Sequence, residues 1–184
     1  MPEETAILKQ ARFVPSPNFN ERPDGVEISL LVIHNISLPP GQFGGGCIER
    51  FFCNRLDREA HPYFRSIEGL EVSAHLLIER SGEIVQFVPF DKRAWHAGRS
   101  SFCGRDNCND FSIGIELEGT DDEPYTDHQY RVLVEVTREL QGRYPRITTD
   151  RIRGHSDIAP GRKTDPGPAF DWGRYRSLLG EALP

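Results

Sequence analysis

His34 closes an apolar run, Ile28-Ser-Leu-Leu-Val-Ile33. A strand end opens into loops, where functional groups collect. Taken alone, a histidine there reads more readily as a hydrogen-bonded residue at the edge of the core. A second histidine stands in Gly154-His155-Ser-Asp157-Ile-Ala-Pro-Gly-Arg-Lys163-Thr-Asp165-Pro-Gly167, a loop stiffened by proline and bent by glycine. Joined with His34, this loop completes a set of two neutral imidazoles and one carboxylate. That is the ligand chemistry of catalytic zinc, with a fourth position left for water. Asp157 and Asp165 compete for the carboxylate role on spacing alone. Glu116 lies inside Ile113-Gly-Ile-Glu116-Leu-Glu118-Gly119. An ionisable group in an apolar strand is costly unless it is paired or functional. Beside an activated water it would take a proton; otherwise it is a sheet-edge glutamate paired with a lysine or arginine.

These residues need elements to hold them. The apolar run before His34 reads as a buried strand. Ala74–Glu79 and Ile84–Val88 read as two strands of a hairpin turning through Arg80-Ser-Gly-Glu83. Phe111–Leu117 alternates with the period of a strand and puts Ser112, Gly114 and Glu116 on one face. Ile48–Leu56 has helical spacing. Thr126 to about Tyr144 is the clearest helix, capped by Thr126 or Asp127, with Tyr130, Leu133, Val134, Thr137 and Leu140 as its buried stripe. A short helix is expected after Asp171, ending near Leu179. Residues 1–27 read as an extended polar lead-in, and 57–71 and 91–110 as loops. Strands and helices interleave and a hairpin is present, so the expected class is α/β: a single domain with a mixed central β-sheet flanked by helices.

Composition narrows the function. The 184 residues suit one domain, and 37% hydrophobic with 27% charged residues describe a soluble globular chain. A net charge of −6 argues against nucleic acid as partner. No apolar run reaches the roughly 20 residues of a membrane span. Met1-Pro-Glu-Glu-Thr5 lacks the basic and apolar regions of a secretion signal, so no membrane partner and a cytoplasmic location are expected. Cys47, Cys53, Cys103 and Cys108 do not have zinc spacing and read as free thiols, a Cys103–Cys108 pair being the one disulfide considered. No GxSxG elbow, nucleophilic cysteine motif, P-loop or dinucleotide fingerprint is present.

Six ordered segments carry a resemblance: Ser16-Pro-Asn-Phe-Asn20, Leu31-Val-Ile-His-Asn-Ile-Ser-Leu-Pro-Pro-Gly-Gln-Phe43, Val72-Ser-Ala-His75, Ala94-Trp-His-Ala-Gly98, Asn109-Asp-Phe-Ser-Ile-Gly-Ile-Glu-Leu-Glu-Gly119 and Asp157 through Gly167. The chain resembles the type-2 N-acetylmuramoyl-L-alanine amidases, whose fold is shared with the peptidoglycan recognition proteins. It is most similar to the cytosolic branch that acts on 1,6-anhydro-muropeptides in cell-wall recycling. The likeness runs from about Ser16 to Leu179, the expected core of a zinc amidase domain spanning 1–184. It implies a Zn2+ ion held by His34, His155 and Asp165, with Glu116 handling the proton and Lys163 stabilising the oxyanion. The substrate implied is an anhydro-muropeptide, whose removal would influence β-lactamase induction, and a monomer is expected. Motif position makes Asn35, Trp95 and His96 groove residues. Arg105, with Arg65 and Arg99, is a candidate cation for a carboxylate of the stem peptide, where some relatives carry arginine in place of Glu71 or Asn107. His75 belongs to one of the motifs, with a buried hydrogen-bonded imidazole as the competing reading, and His61 and His128 are expected to be solvated. The alternatives are a lytic amidase acting on intact peptidoglycan and a module that only binds it.

Overall fold

In the computed structural model, which describes residues 6–180, the strands in chain order are β1 (Arg12–Phe13), β2 (Phe19–Glu21), β3 (Leu30–Ile36), β4 (Leu76–Ile78), β5 (Ile84–Gln86), β6 (Lys92–Ala94), β7 (Ser101–Phe102), β8 (Arg105–Asp106), β9 (Ser112–Glu118) and β10 (Ile152–Gly154). The helices are α1 (Cys47–Phe52), α2 (Pro62–Ser66), α3 (Asp127–Arg143), α4 (His155–Ile158) and α5 (Trp172–Leu178). Six strands form one sheet in the order β1-β5-β4-β9-β3-β10. Only the β4–β5 hairpin is antiparallel; the other neighbours run parallel. The sheet is therefore mixed, as expected, and β9 and β3 lie inside it.

The alternation along β9 sorts its side chains. Ile113, Ile115 and Leu117 join Leu31, Ile33, Leu76 and Ile78 on one face. There they meet Tyr130, Leu133, Val136 and Leu140 of α3, and Tyr175 of α5. Each such aliphatic side chain taken from water contributes roughly 1.5–3 kcal/mol. Helix α3 begins with a capping box in which Thr126 and Gln129 satisfy each other's backbone N–H groups. The Gln129 amide also donates to Ile78 O and Glu118 O, fastening the helix to the sheet. On the other face Leu77, Val85 and Phe87 pack with Phe52 of α1 and Phe64 of α2. A smaller cluster of Leu30, Val32, Ala97, Cys108, Phe111 and Ile158 lies beside it.

Several expectations are corrected. The helix expected over 48–56 ends at Phe52, because Asn54 turns into the left-handed region at φ 55° and its amide exchanges hydrogen bonds with Asn18. The loop 57–71 contains α2, started by Pro62 in its first turn with His61 Nδ1 accepting the Tyr63 N–H. From Ala6 on the lead-in is structural, its first five residues lying outside the described ones: β1 joins the sheet beside β5, β2 pairs with β6, and Ala6 and Leu8 are buried. The buried Gln86 amide holds that end by accepting from Leu8 N and donating to Ala6 O. The 91–110 stretch carries β6, the β7–β8 hairpin and a short 3₁₀ turn at Cys108–Asp110. All four cysteines are free thiols, Cys103 exposed and Cys108 buried.

Candidate metal centre

The parallel register sets His34 of β3 directly beside Glu116 of β9. One strand further, Gly154 of β10 pairs with Ile33, and His155 follows at once as the first residue of α4. The three side chains thus gather at the carboxyl ends of parallel strands, the open end of such a sheet. Asp165 is brought to them by the returning loop, whose carbonyl accepts the Ser156 N–H at 3.0 Å. Asp157 is engaged elsewhere, since its Oδ2 takes the Gly154 N–H at 2.8 Å and caps α4. That bond separates two carboxylates that spacing alone leaves equivalent. Gly167 must be glycine, since its φ is +77° and a Cβ there would stand 2.2 Å from Asp121 Cα. Asn35 ties the same loop down by donating to Asp121 Oδ1 at 2.8 Å and Pro166 O at 3.1 Å.

His34 Nδ1 and His155 Nδ1 each lie 3.0–3.1 Å from Asp165 Oδ2 and 3.0 Å from each other. Donors held about 2.0–2.1 Å from one tetrahedral ion stand roughly 3.3 Å apart, so the spacing fits a shared cation. The protons agree. His155 Nε2 faces the Ala97 carbonyl at 3.0 Å, an acceptor, so it carries the ring proton and leaves Nδ1 with a lone pair. Burial lowers the His34 pKa to about 4, keeping it neutral at pH 7. Burial raises the Asp165 carboxyl, but its contacts with His155 and His34 outweigh this and hold it below the ordinary range. With Nδ1 of His34 also unprotonated, two imidazole lone pairs and a carboxylate would converge on one point and repel one another unless a cation lay between them. His34, His155 and Asp165 can hold a metal ion.

Glu116 is 8% exposed, and its buried Oε2 has no hydrogen-bond partner among the described residues. It stands on an inner strand, and no lysine or arginine among the described residues pairs with it, so the sheet-edge reading fails. Burial pushes its carboxyl well above the usual range, the Asp165 charge adds to this, and Lys163 opposes it. Lys163 is exposed, and its ammonium makes no hydrogen bond or ion pair among the described residues. Both line one cavity of about 420 Å³ with the three ligand candidates, walled by Leu38, Phe51, Tyr63, Ile67, Leu70 and Trp95.

Asn35 and Trp95 border this cavity, the Trp95 indole N–H donating to Asn20 Oδ1 at 3.0 Å. His96 reaches it too, but its ring is buried and both nitrogens are engaged, Nδ1 with His34 Nε2 at 2.9 Å and Nε2 with Ser112 Oγ at 3.0 Å. Arg105 lies outside the cavity, its guanidinium 4.0 Å over the Phe111 ring. Arg65 pairs with Glu59, and Arg99 borders a neighbouring depression with Asn107 and Arg162. His75 is a buried imidazole: Nδ1 accepts the Gly114 N–H at 3.0 Å and Nε2 donates to Lys92 O at 3.1 Å. Burial lowers its pKa to about 3. His61 caps α2, and His128 is exposed on α3. Two supports were not foreseen. Arg22 donates to the carbonyls of Phe90, Asn109, Asp110 and Ser112, and although burial lowers its pKa to about 10 it stays charged at neutral pH. Asn109 Oδ1 accepts both the His96 and Ala97 N–H groups.

A family model described as N-acetylmuramoyl-L-alanine amidase matches residues 24–168. The chain belongs to that amidase family. The amidase is 61% identical over 176 residues to the 1,6-anhydro-N-acetylmuramyl-L-alanine amidase AmpD of Enterobacter cloacae, covering 96% of this chain and 94% of that protein. Its fold superposes on a selenomethionine crystal structure of AmpD with a TM-score of 0.93 at 60% identity, over 97% of this chain and 99% of that one. A more distant solved relative, the amidase AmiD of E. coli, matches with a TM-score of 0.62 at 26% identity, over 90% of this chain and 67% of that one. That structure is a complex with the substrate anhydro-N-acetylmuramic acid-L-Ala-D-γ-Glu-L-Lys. Among the described residues no helix is long and apolar enough to cross a membrane.

Proposed function

We propose that this amidase hydrolyses the amide joining the lactyl group of 1,6-anhydro-N-acetylmuramic acid to L-alanine in soluble muropeptides, with zinc as its metal, in the cytoplasmic recycling of cell wall. The observation that carries the reading is the meeting of two imidazole Nδ1 atoms and a carboxylate beside a buried Glu116 oxygen that has no partner among the described residues. His34, His155 and Asp165 would hold the ion. Zinc bound there supplies Lewis acidity, bringing water toward ionisation near neutral pH and polarising the scissile carbonyl.

The chain's own groups do the rest. Glu116 accepts the attacking water's proton at its free Oε2 and returns it to the leaving nitrogen of alanine. A carboxyl raised above its usual range suits both transfers, because proton gain and loss are then closer to balance at working pH. Lys163 has its charge free to stand against the oxygen that becomes negative. Phe51, Tyr63 and Leu70 give the cavity an apolar wall against which a sugar ring or peptide stem excludes water.

Product analysis tests the substrate. Zinc-loaded protein is incubated separately with an anhydro-muramyl tripeptide and with intact sacculi. Release of tripeptide with a free L-alanine amino group from the soluble substrate, with little from sacculi, is expected. Release from sacculi alone would replace the recycling substrate with intact wall, and release from neither would remove the assignment.

A further inference from the structure

We propose that His96, seated on the polar face of β9, is a positioning residue that fixes the metal-facing tautomer of His34. The inference rests on the zinc reading above. For His34 to offer Nδ1 to a metal, its ring proton must sit on Nε2, and that proton needs an acceptor in a buried site. Ligating histidines commonly give this proton to a carboxylate, a carbonyl or water. Here the atom in place is His96 Nδ1, at 2.9 Å, with the two rings perpendicular. To accept, His96 must carry its own proton on Nε2, which is the atom 3.0 Å from Ser112 Oγ. One chain of bonds, Ser112 to His96 to His34, thus selects one tautomer at each ring.

Strand β9 is shaped for that chain. Two residues beyond Ser112, Gly114 lies under the His96 ring, and a Cβ at 114 would stand 2.5 Å from its Cγ and Nδ1. Two further on, Glu116 enters the cavity. The alternation therefore gives a hydroxyl that orients His96, a gap that seats it, and the carboxylate of the site. The backbone of the same segment serves the second histidine. Ala97 O takes the His155 Nε2 proton, and Asn109 Oδ1 pins both the His96 and Ala97 N–H groups.

The test compares zinc affinity, by competition with a chromogenic chelator, in wild type, His96→Phe, His96→Gln and Ser112→Ala, with the melting temperature of each metal-free protein alongside. His96→Phe keeps a ring of similar size and loses the acceptor, and zinc affinity should fall about 10–100-fold. His96→Gln offers an amide oxygen to the same proton and should recover most of that loss. Ser112→Ala removes only the far end of the chain and should weaken zinc about 2–10-fold. Nitrogen-15 spectra of the zinc-loaded wild type should show His34 protonated at Nε2, with that resonance displaced in His96→Phe. Unchanged affinity in His96→Phe, or an equal fall in His96→Gln, would overturn the proposal. Should His96→Phe not fold, Ser112→Ala decides alone, and wild-type affinity there overturns it. A wild type that takes up no zinc would instead remove the metal reading, and this inference with it.

Discussion

The two faces of β9 divide the molecule's work. Ile113, Ile115 and Leu117 lie in the core against α3, in a cluster of hydrophobic side chains whose interaction is non-directional. Ser112, Gly114 and Glu116 point the other way, and each serves the site: a bond to His96, room for its ring, and a carboxylate in the cavity whose Oε2 has no partner among the described residues. Seven consecutive buried residues thus contain two different kinds of burial. One stabilises the fold. The other costs the fold stability, because a buried oxygen without a partner is unfavourable, and it persists where the chemistry needs it.

Substitutions should separate the faces. Glu116→Gln is expected to lose about 10²–10⁴ of turnover, with zinc content and melting temperature held at or above wild type. Near-normal turnover would show that the polar face does not handle the proton. Lys163→Ala, beyond the strand but in the same cavity, should lose about 10²–10³ in kcat. A change confined to KM would make it a binding group instead.

The apolar face should behave in the opposite way. Ile115→Ala is expected to lose about 2–5 kcal/mol in urea unfolding, while turnover per folded molecule stays close to wild type. A large kcat loss with stability intact would break the division. The smallest effect comes from pH. His75 titrates near 6.5 when unfolded but only at about 3 when folded. Between those values the unfolded chain binds a proton that the native chain refuses, so stability rises with pH there. Its contribution is complete above pH 6.5 and fades as pH falls toward 3. His34, lowered to about 4, acts in the same direction. Metal-free protein taken from pH 7.5 to 5 should lose about 2 kcal/mol through His75, and His75→Gln should flatten that slope.

Much of this was legible in the sequence where the pattern is long and local. β3, β9 and α3 announce themselves by an apolar run, alternation and a capped helical stripe, and the polar face of β9 was readable from its period. The short elements were not, because distant side chains hold them. β1 depends on Gln86 gripping the segment before it, and the 90s and 110s loops depend on Arg22 reaching four carbonyls. Helix α2, read as loop, is held by Phe64, which is buried from a polar surrounding. The ligand types were visible, but Asp157 and Asp165 differ only in where a backbone N–H lies. The work of His96 was hidden for the same reason: the partners of its two nitrogens come from β3 and β9, segments 62 and 16 residues away.

The central claim is that His34, His155 and Asp165 hold the zinc on which amide cleavage depends. Hydrolysis of an anhydro-muramyl tripeptide, followed in the purified protein before chelation, after it, and again after zinc is restored, tests this most directly. The expected result is release that stops with the chelator and returns with about one zinc per chain, as the one cluster of ligands among the described residues implies. Undiminished release from protein shown to be free of metal would contradict it.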